Sequence, residues 1–499
     1  MMILTRYTEP KYRTIHDAKE NELELLKEKS ANSAWKPGYH IHPGYGLMND
    51  PNGLAYFNGE FHVFYQWYPF GAIHGMKHWA HVKSADLVNW ERLPTAIVPV
   101  EEYDSHGAYS GASLEIEGEL YLYYTGNIKY NAEERSANQC LAIMDKNGDI
   151  RKHETNPIIK GVPVGYTGHV RDPKVFKKDD RYYMLLGAQR SNLTGAIIVY
   201  ESNDARNWTF KGELDLELDL PDSCYMLECP DYFELNGQDV LVVSPQGLEA
   251  EEHAYQNLYN VMYVLGELDI EHLTFKVSSH HELDKGFDFY APQTFEGKNG
   301  ERLLFGWAGM GEIDYPSDKE DWAHCLTTPR ELDIVNGRII QKPARELKKL
   351  RKHSESAELR LEDGSKEWSP GSVQYELEIS LQSIEAGTFG IELFASETES
   401  LVLEFNRSAQ AVTLNRENFK EKFGGEHGFE RSSKLTIGET VNIQIFVDRS
   451  IAEIFINDGA VVFTSRVFPD VESTGINVFS DGKLNGSYHR HELSCRSLL

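Results

Sequence analysis

Hydrophobic and polar positions alternate in short stretches along most of the chain, and one such pattern recurs five times. Each copy has a short polar motif, a strand-like stretch, a turn containing Asn-Gly, Glu-Gly or Asp-Asp, and a second strand rich in Tyr, Phe, Leu and Val. This order is typical of a β-hairpin. The copies are NDPNGLAYFNGEFHVFYQ from Asn49, YSGASLEIEGELYLYYTG from Tyr109, RDPKVFKKDDRYYMLLGA from Arg171, ECPDYFELNGQDVLVVSP from Glu228 and YAPQTFEGKNGERLLFGWAG from Tyr290.

The five copies are almost evenly spaced. Between them there is room for two further strands per unit, for example at 138–144 and 194–202. Four-stranded units repeated radially are the blades of a β-propeller, whereas stacked solenoid repeats run about 20 to 47 residues. We therefore predict a five-bladed β-propeller over 40–345. The separations between successive copies are 60, 62, 56 and 62 residues, measured between Asp50, Ser110, Asp172, Glu228 and Tyr290.

The pattern differs on either side of this region. Residues 17–30 (DAKENELELLKEKS) predict a surface helix, with Leu23, Leu25 and Leu26 as its apolar stripe, within an N-terminal helical arm over 1–39. After Pro343, a basic, helix-prone run (ARELKKLRKHSES) precedes alternating strands that lack the repeat. Short alternating strands over about 150 residues predict a β-sandwich at 346–499. The expected fold class is all-β.

One segment of the predicted sandwich, DRSIAEIF, looks like a motif because it contains Asp448, Arg449 and Glu453. Alternation nevertheless places its neighbours Ile451, Ile454 and Phe455 around a core. We therefore favour a structural role for Glu453 over a catalytic one.

Composition narrows the classes of function. The chain has 50 Lys and Arg against 78 Asp and Glu, a net charge of −28, which disfavours nucleic-acid and membrane partners. No apolar run approaches the roughly 18 residues of a spanning helix, and at the chain start Arg6 interrupts the apolar stretch that a leader would need. We expect a cytoplasmic protein and leave its oligomeric state open. Free thiols in a reducing compartment are indicated by the scattered Cys140, Cys224, Cys229, Cys325 and Cys495.

Three acidic residues occupy matching positions in the repeat. The innermost strand of every propeller blade lines the central channel, so Asp50, Asp172 and Glu228 are expected to share one pocket. Each could instead cap a turn. Crowding raises the pKa of one carboxyl while another stays ionised, and glycoside hydrolysis requires that division.

Aromatic and amide residues lie at the same level of the predicted channel. Rings stack on sugar faces, and polar side chains bind hydroxyl groups, although any single Trp could merely pack between blades. These residues are Asn49, Gln66, Trp67, Trp79, Tyr109, Ser110, Arg171, Tyr290 and Trp307.

In order along the chain, eight motifs resemble those of the invertase family, glycoside hydrolase family 32: LMNDPNG (47–53), FYQ (64–66), HWAHVKSADLVNW (78–90), YSG (109–111), RDP (171–173), EC (228–229), DFYAPQ (288–293) and PRE (329–331). The resemblance implies a propeller followed by a sandwich. It also implies that Asp50 is the nucleophile, Glu228 the general acid/base and Asp172 the transition-state stabiliser. The residues implied to hold the fructosyl ring are Asn49, Gln66, Tyr109, Ser110, Arg171 and Tyr290, with further substrate contacts expected at Leu47, Met48, Trp79 and Trp307.

Two departures from the family pattern affect the expected substrate. Leu47 stands where the family usually has Trp, so one wall of the pocket is less aromatic. Where many members have Trp-Gly, this chain has His74-Gly75-Met76-Lys77, which resembles cytoplasmic members that act on a phosphorylated sugar. Because a surface of charge −28 repels an anion, such a substrate needs local positive groups. His74 and Lys77 are the candidates, unless Lys77 is an ordinary solvated lysine.

The resemblance implies a retaining β-fructofuranosidase that cleaves sucrose 6-phosphate to fructose and glucose 6-phosphate without a cofactor. Three alternatives remain at this point: an invertase or fructan hydrolase that acts on unphosphorylated sugars, an inverting pentosidase, and a sugar-binding propeller lectin. A metal site is disfavoured. His74, His78 and His81 have helical spacing, but HWAHVKS predicts a strand.

Overall fold

The computed structural model describes residues 7–495. Residues 1–6, on which the expectation about a leader rests, and the last four residues of the predicted sandwich lie outside it. Strands dominate this part of the chain, which confirms the all-β class, and its one α-helix is α1 (Glu22–Ala31). No helix between residues 7 and 495 is long and apolar enough to cross a membrane. Short 3-10 helices lie at Ile15–Asp17, Glu102–Asp104, Pro316–Glu320, Arg345–Leu350 and Gly425–His427.

Residues 46–343 form five separate sheets, each with four main antiparallel strands. The first sheet contains β1 (Gly46–Phe57), β2 (Glu60–Tyr68), β3 (His78–Ser84) and β4 (Glu91–Ile97). The second contains β5 (Ala108–Tyr109), β6 (Ser113–Ile116), β7 (Glu119–Lys129), β8 (Arg135–Met144) and β9 (Ile150–Lys152), and the third contains β10 (Tyr166–Lys178), β11 (Arg181–Arg190), β12 (Gly195–Ser202) and β13 (Thr209–Glu213). The fourth contains β14 (Asp215–Leu216), β15 (Met226–Leu235), β16 (Gln238–Gln246), β17 (Met262–Asp269) and β18 (Thr274–Glu282), and the fifth contains β19 (Tyr290–Glu296), β20 (Arg302–Ala308), β22 (Cys325–Leu326), β23 (Arg330–Val335) and β24 (Arg338–Pro343). The first sheet also includes β21 (Trp322–Ala323), which pairs in parallel with β1, whereas β22, which follows β21 along the chain, pairs with β20 of the fifth sheet.

The predicted hairpins are present, and their turn residues explain them. Both residues of the Asn58-Gly59 turn have positive φ, 51° and 84°, as do those of Asn236-Gly237, 52° and 75°. Such turns match the twist of two antiparallel strands, and Asn and Gly adopt positive φ most readily. The additional strands predicted at 138–144 and 194–202 are confirmed as parts of β8 and β12.

We call β1, β5–β6, β10, β15 and β19 the inner strands. Each of them contains one extra residue at nearly the same place in the repeat. From Arg171 to Lys174, β10 advances three residues while its partner β11 advances two. A β-bulge of this kind interrupts the alternation of a strand, so adjacent side chains can reach the same side. Equivalent steps occur at Met48/Pro51, Tyr109/Ser113, Glu228/Asp231 and Tyr290/Gln293.

The C-terminal part contains two six-stranded antiparallel sheets, ordered β25-β36-β27-β32-β33-β34 and β26-β35-β28-β29-β30-β31. One hydrophobic cluster, which includes Leu377, Ile391, Leu403 and Ile445, contains side chains from both sheets. The strands are β25 (Arg351–Leu361), β26 (Gly364–Trp368), β27 (Gln374–Gln382), β28 (Thr388–Ala395), β29 (Ser400–Asn406), β30 (Ala411–Asn418), β31 (Glu430–Lys434), β32 (Thr440–Asp448), β33 (Ile451–Ile456), β34 (Val461–Arg466), β35 (Gly475–Ser480) and β36 (Leu484–Leu493).

Two helix predictions need correction. The helix predicted over 17–30 begins only at Glu22, after Asn21 in the left-handed region, and Leu25 is 63% exposed rather than part of an apolar stripe. The helix-prone run after Pro343 is a 3-10 helix at Arg345–Leu350 followed by β25. Pairing of β25 with β36 outweighs the local helix propensity of that segment.

A network of fully buried ionic side chains connects the two parts of the chain. Glu453 on β33 accepts hydrogen bonds from Arg330 Nε at 3.1 Å and Nη2 at 2.6 Å, and its other oxygen lies 3.0 Å from His40 Nε2. Arg330 also binds Asp284 at 2.9 Å, and His40 also binds Asp448 at 2.8 Å. Two motifs noted in the sequence, PRE and DRSIAEIF, therefore meet at the contact between the N-terminal and C-terminal sheets.

Candidate active site

A cavity of about 410 Å³ opens where the bulged inner strands approach one another. Eleven of the fifteen predicted site residues line it. They are Asn49, Asp50, Gln66, His74, Lys77, Tyr109, Arg171, Asp172, Glu228, Tyr290 and Trp307.

Asp50 lies at the bulge of β1 and is held by a chain of polar side chains. Ser110 Oγ donates a hydrogen bond to Asp50 Oδ2, and Asn49 Nδ2 donates to Oδ1 at 3.1 Å. Gln66 Nε2 in turn donates to Ser110 Oγ at 2.6 Å. These bonds orient the Asp50 carboxylate within the cavity.

Asp172 and Cys229 occupy equivalent bulge positions on β10 and β15, and both have left-handed backbones, with φ of 65° and 48°. The Cys229 backbone N–H donates to Asp172 Oδ2 at 3.0 Å. The Cys229 sulfur lies 3.5 Å from Asp172 Oδ2 and 3.8 Å from Asp50 Oδ2. Two carboxylates from different sheets therefore contact one thiol.

Glu228 precedes Cys229 and is held through both of its oxygens. Arg171 donates to Oε1, at 2.8 Å from Nε and 2.5 Å from Nη2. Tyr290 Oη donates to Oε2 at 2.6 Å, and Gln246 Nε2 donates to the same oxygen at 2.8 Å. Arg171 Nε also lies 4.0 Å from Asp172, so one guanidinium group links two of the three acids.

Burial and mutual repulsion shift the pKa values of these acids. Burial raises the pKa of Asp172 to about 7, with Glu228 and Asp50 adding to the effect and Arg171 opposing it. Burial and the nearby Glu228 also raise the pKa of Asp50, which the Ser110 and Asn49 hydrogen bonds counteract. Perturbed carboxyl pKa values in a cleft are typical of catalytic sites.

Lys77 and His74 line the cavity but differ in depth. Lys77 is only 5% exposed, whereas His74 is exposed to the cavity. Lys77 Nζ donates to His74 Nδ1 at 3.1 Å. Burial lowers the pKa of Lys77 to about 7, opposed by the charge of Asp50. Lys77 is therefore a buried residue of the cavity that contains Asp50, rather than a solvated loop lysine.

Two buried polar atoms of side chains that line the cavity have no protein partner in the described part of the chain. Within residues 7–495, Asn49 Oδ1 and Trp307 Nε1 have no hydrogen-bond partner. Unpaired buried polar atoms are rare in folded proteins. An acceptor and a donor at these points suit a ligand with several hydroxyl groups.

Four predicted site residues do not line the cavity. Leu47 and Met48 are buried in separate hydrophobic clusters, because the bulge that brings Asn49 and Asp50 into the cavity begins only after Met48. Trp79 is fully buried against Phe64 and donates its indole N–H to the Tyr109 carbonyl. Ser110 is also buried and does not line the cavity, but its hydroxyl group donates a hydrogen bond to Asp50.

Sequence reasoning missed Gln246 and Cys229 as members of this site. Gln246 gave no clear signal, because it is the last residue of β16 and lies outside the recognised motifs. Cys229 belongs to the EC motif at 228–229, but its contact with two carboxylates depends on the bulge.

The histidines considered for a metal site have other partners. His78 accepts the Ile15 backbone N–H at 3.0 Å and donates to the Met76 carbonyl, and His81 bonds to His62. HWAHVKS is strand β3, as predicted. Across residues 7–495, no group of three or more His, Cys, Asp or Glu side chains is arranged to hold a metal ion.

Comparison with known proteins identifies the family of this chain. The profile of the glycosyl hydrolases family 32 N-terminal domain matches residues 40–343, and that of the C-terminal domain matches residues 346–494. Proteins named sucrose-6-phosphate hydrolase are similar to the chain: one from Staphylococcus xylosus is 41% identical and covers 95% of both chains, and one from Bacillus subtilis is 39% identical and covers 92% of this chain and 94% of the relative.

Two solved structures extend the comparison. The structure of sucrose-6-phosphate hydrolase from Lactobacillus gasseri has a TM-score of 0.89 and 38% identity, covering 98% of this chain and 100% of that one. A mutant Bombyx mori GH32 β-fructofuranosidase in complex with sucrose has a TM-score of 0.81 and 34% identity, covering 95% and 98%. The family resemblance seen in the motifs is thereby confirmed: the chain belongs to glycosyl hydrolases family 32.

Proposed function

We propose that this glycoside hydrolase is a retaining β-fructofuranosidase that converts sucrose 6-phosphate and water to fructose and glucose 6-phosphate. One observation carries the proposal: Asp50, Asp172 and Glu228 lie on three separate sheets, yet they share one cavity and are linked through Cys229 and Arg171. The names of the relatives at about 40% identity support the substrate.

In the first chemical step, Asp50 attacks the anomeric carbon of the fructosyl unit and forms a covalent ester. Ser110 and Asn49 orient its carboxylate for that attack. Glu228 donates a proton to the glycosidic oxygen, so the glucosyl part leaves with an intact hydroxyl group. Arg171, Gln246 and Tyr290 hold Glu228 in a single orientation.

In the second step, Glu228 takes a proton from water, the resulting hydroxide attacks the same carbon, and the bond to Asp50 breaks. Asp172, in its ionised form, accepts hydrogen bonds from fructosyl hydroxyls as positive charge develops in each transition state. Asn49, Gln66, Tyr109 and the buried Lys77 lie at this level of the cavity and are proposed to bind the fructosyl unit.

The remaining features of the chain fit this assignment. We propose that the five sheets are the blades of a propeller over 40–345, followed by a sandwich over 346–499 and preceded by the arm at 1–39. No metal or organic cofactor takes part in the steps above.

A cytoplasmic location is supported by the free thiols of all five cysteines and by relatives that are named for a phosphorylated sugar.

Unphosphorylated sucrose is the second candidate substrate, favoured by the Bombyx mori relative that was solved in complex with sucrose. The two candidates share all of the catalytic residues. They are separated by measuring kcat/KM for sucrose 6-phosphate and for sucrose under the same conditions. We expect the phosphorylated sugar to be preferred, and equal or reversed values would replace it with sucrose.

The catalytic assignment is tested with Asp50→Asn and Glu228→Gln, which keep the shape of each side chain. Each is expected to lower kcat by at least ~10³ with an unchanged melting temperature, because each removes a nucleophile or a proton donor. Asp180→Asn, at an exposed turn of the β10–β11 hairpin, is the matched control. NMR of the first product should show the substrate's anomeric configuration, and inversion would exclude the covalent intermediate.

A further inference from the structure

The β7–β8 hairpin places two positive side chains directly opposite each other at the cavity. Lys129 is the last residue of β7, Arg135 is the first residue of β8, and the two are cross-strand partners. Both line the cavity, as does Lys11. We call Lys11, Lys129 and Arg135 the cationic cluster.

No carboxylate in residues 7–495 forms an ion pair with Lys129 or Arg135, although the turn between them contains two glutamates. One of these, Glu134, hydrogen-bonds to Asn131 instead. Like charges directly opposite on paired strands destabilise a sheet. In a protein of net charge −28, an unneutralised pair of cations at a cavity is most simply explained by an anionic ligand.

The position of the cluster relative to the catalytic groups indicates which part of the substrate it meets. Gly168 on β10 packs directly against Arg135, because a Cβ atom added there would lie 2.1 Å from the Arg135 carbonyl oxygen. The next residue along β10, His169, is bonded to Arg171 at 2.9 Å, so this short stretch of β10 connects Arg135 to Arg171. Since Arg171 holds Glu228, the proposed proton donor, the cluster lies on the side where the departing sugar is protonated.

Two of the three cations approach the same aromatic ring. The ammonium groups of Lys11 and Lys129 each lie 5.6 Å from the centre of the Tyr12 ring. Lys11 also pairs with Glu9 at 2.9 Å, so Lys129 and Arg135 carry the unneutralised charge. Elsewhere on the lining, Glu312 supplies a negative charge that would repel an anion.

Lys77 is less suited to a phosphate. It lies beside Asp50, where a dianion would meet three carboxyl groups, and its amine is bonded to His74. The phosphate of sucrose 6-phosphate is attached at the far side of the glucose ring, several bonds from the glycosidic oxygen. An outer site beyond Glu228 therefore fits that geometry better than the buried Lys77.

We infer that Lys129 and Arg135, with Lys11 at the rim, form the subsite that binds the phosphate of a phosphorylated hexose leaving group. This inference rests on the proposed function. It assigns selectivity for the phosphorylated substrate to the β7–β8 hairpin rather than to the His74–Lys77 segment.

The experiment measures the ratio of kcat/KM for sucrose 6-phosphate to that for sucrose. In Lys129→Gln and Arg135→Gln the ratio is expected to fall at least about tenfold each, since a charge-assisted hydrogen bond contributes roughly that factor or more. Inhibition by glucose 6-phosphate should weaken in parallel, whereas inhibition by glucose should not. Lys27→Gln, which removes an exposed positive charge on α1, is the matched control.

Stability gives an independent readout. Relief of the like-charge pair should leave each variant melting at or above the wild-type temperature, so a loss of the ratio is not explained by unfolding. An unchanged ratio, or an equal loss on both sugars, overturns the inference. A fall in the ratio with Lys77→Met but not with the hairpin variants assigns the phosphate to Lys77. If wild-type enzyme shows no preference for sucrose 6-phosphate, the proposed substrate itself fails.

Discussion

Glu453→Ala should destabilise the protein without altering its chemistry. The substitution removes four interactions of a fully buried carboxylate: two bonds from Arg330, one with His40 and one from the Thr328 backbone N–H at 2.8 Å. It leaves Arg330 buried with Asp284 as its remaining carboxylate partner. Breaking a buried ion pair in this way costs about 3–5 kcal/mol.

For a chain of 499 residues, that loss corresponds to a fall in melting temperature of about 3 to 5 °C, measured by calorimetry or circular dichroism. Although burial opposes it, Arg330 and His40 lower the pKa of Glu453 from 4.5 to about 2. Its contribution is therefore fully present above pH 4.5 and is lost as the pH falls towards 2. The difference between wild type and variant should shrink over that range.

Turnover is the second measurement on this variant. Well below the melting temperature, kcat should stay within about twofold of wild type, because Glu453 does not line the cavity. Glu472→Ala, at an exposed position of the same domain, should change the melting temperature by less than about 2 °C. A large loss of kcat with an unchanged melting temperature would refute the structural role.

Two further predictions follow from the crowded carboxyl groups. With sucrose, which carries no titratable group, kcat/KM should fall as the pH drops below about 7, because protonation of Asp172 and Asp50 removes the anions that the reaction uses; a flat profile down to pH 5 would contradict these pKa shifts. Asp172→Asn should be inactive yet melt at a higher temperature than wild type at pH 8. Because the pKa of Asp172 is raised in the folded protein, the free energy of unfolding of the wild type decreases as the pH rises from 3.8 to about 7. The difference in melting temperature between the variant and the wild type should therefore be smaller at pH 5.

The motifs and their spacing predicted most of the fold because each hairpin has local signals. The Asn-Gly turns and alternating strands need only a few neighbouring residues, and each of the three acids could be found near the start of a hairpin. Their expected match was inexact, because Glu228 corresponds in the pairing register to Arg171, and Cys229 corresponds to Asp172. The helix expected after Pro343 failed because β36, more than 120 residues away, pairs with that segment. Local propensity carries no information about such a partner.

The site was only partly predictable for a related reason. Which side a residue faces depends on the bulges, and these are visible only in the pairing register. This explains why Met48 was placed in the site and Cys229 was not. The cationic pair was also hidden, because Lys129 and Arg135 lie in a polar hairpin that resembles an ordinary solvated turn until its position at the cavity is known.

The parallel pairing of β21 with β1 has a consequence for synthesis. Gly46 pairs with Trp322, which is 276 residues further along the chain. A ribosome that adds about 5 to 20 residues per second needs roughly 14 to 55 s to cover that distance. Throughout that interval, Gly46 and Leu47 at the start of β1 have no partner on the side away from β2. Asp50, Asp172 and Glu228 have all been translated well before residue 322. A nascent chain thus possesses its full set of reactive carboxyl groups long before it can complete the sheet that positions the first of them.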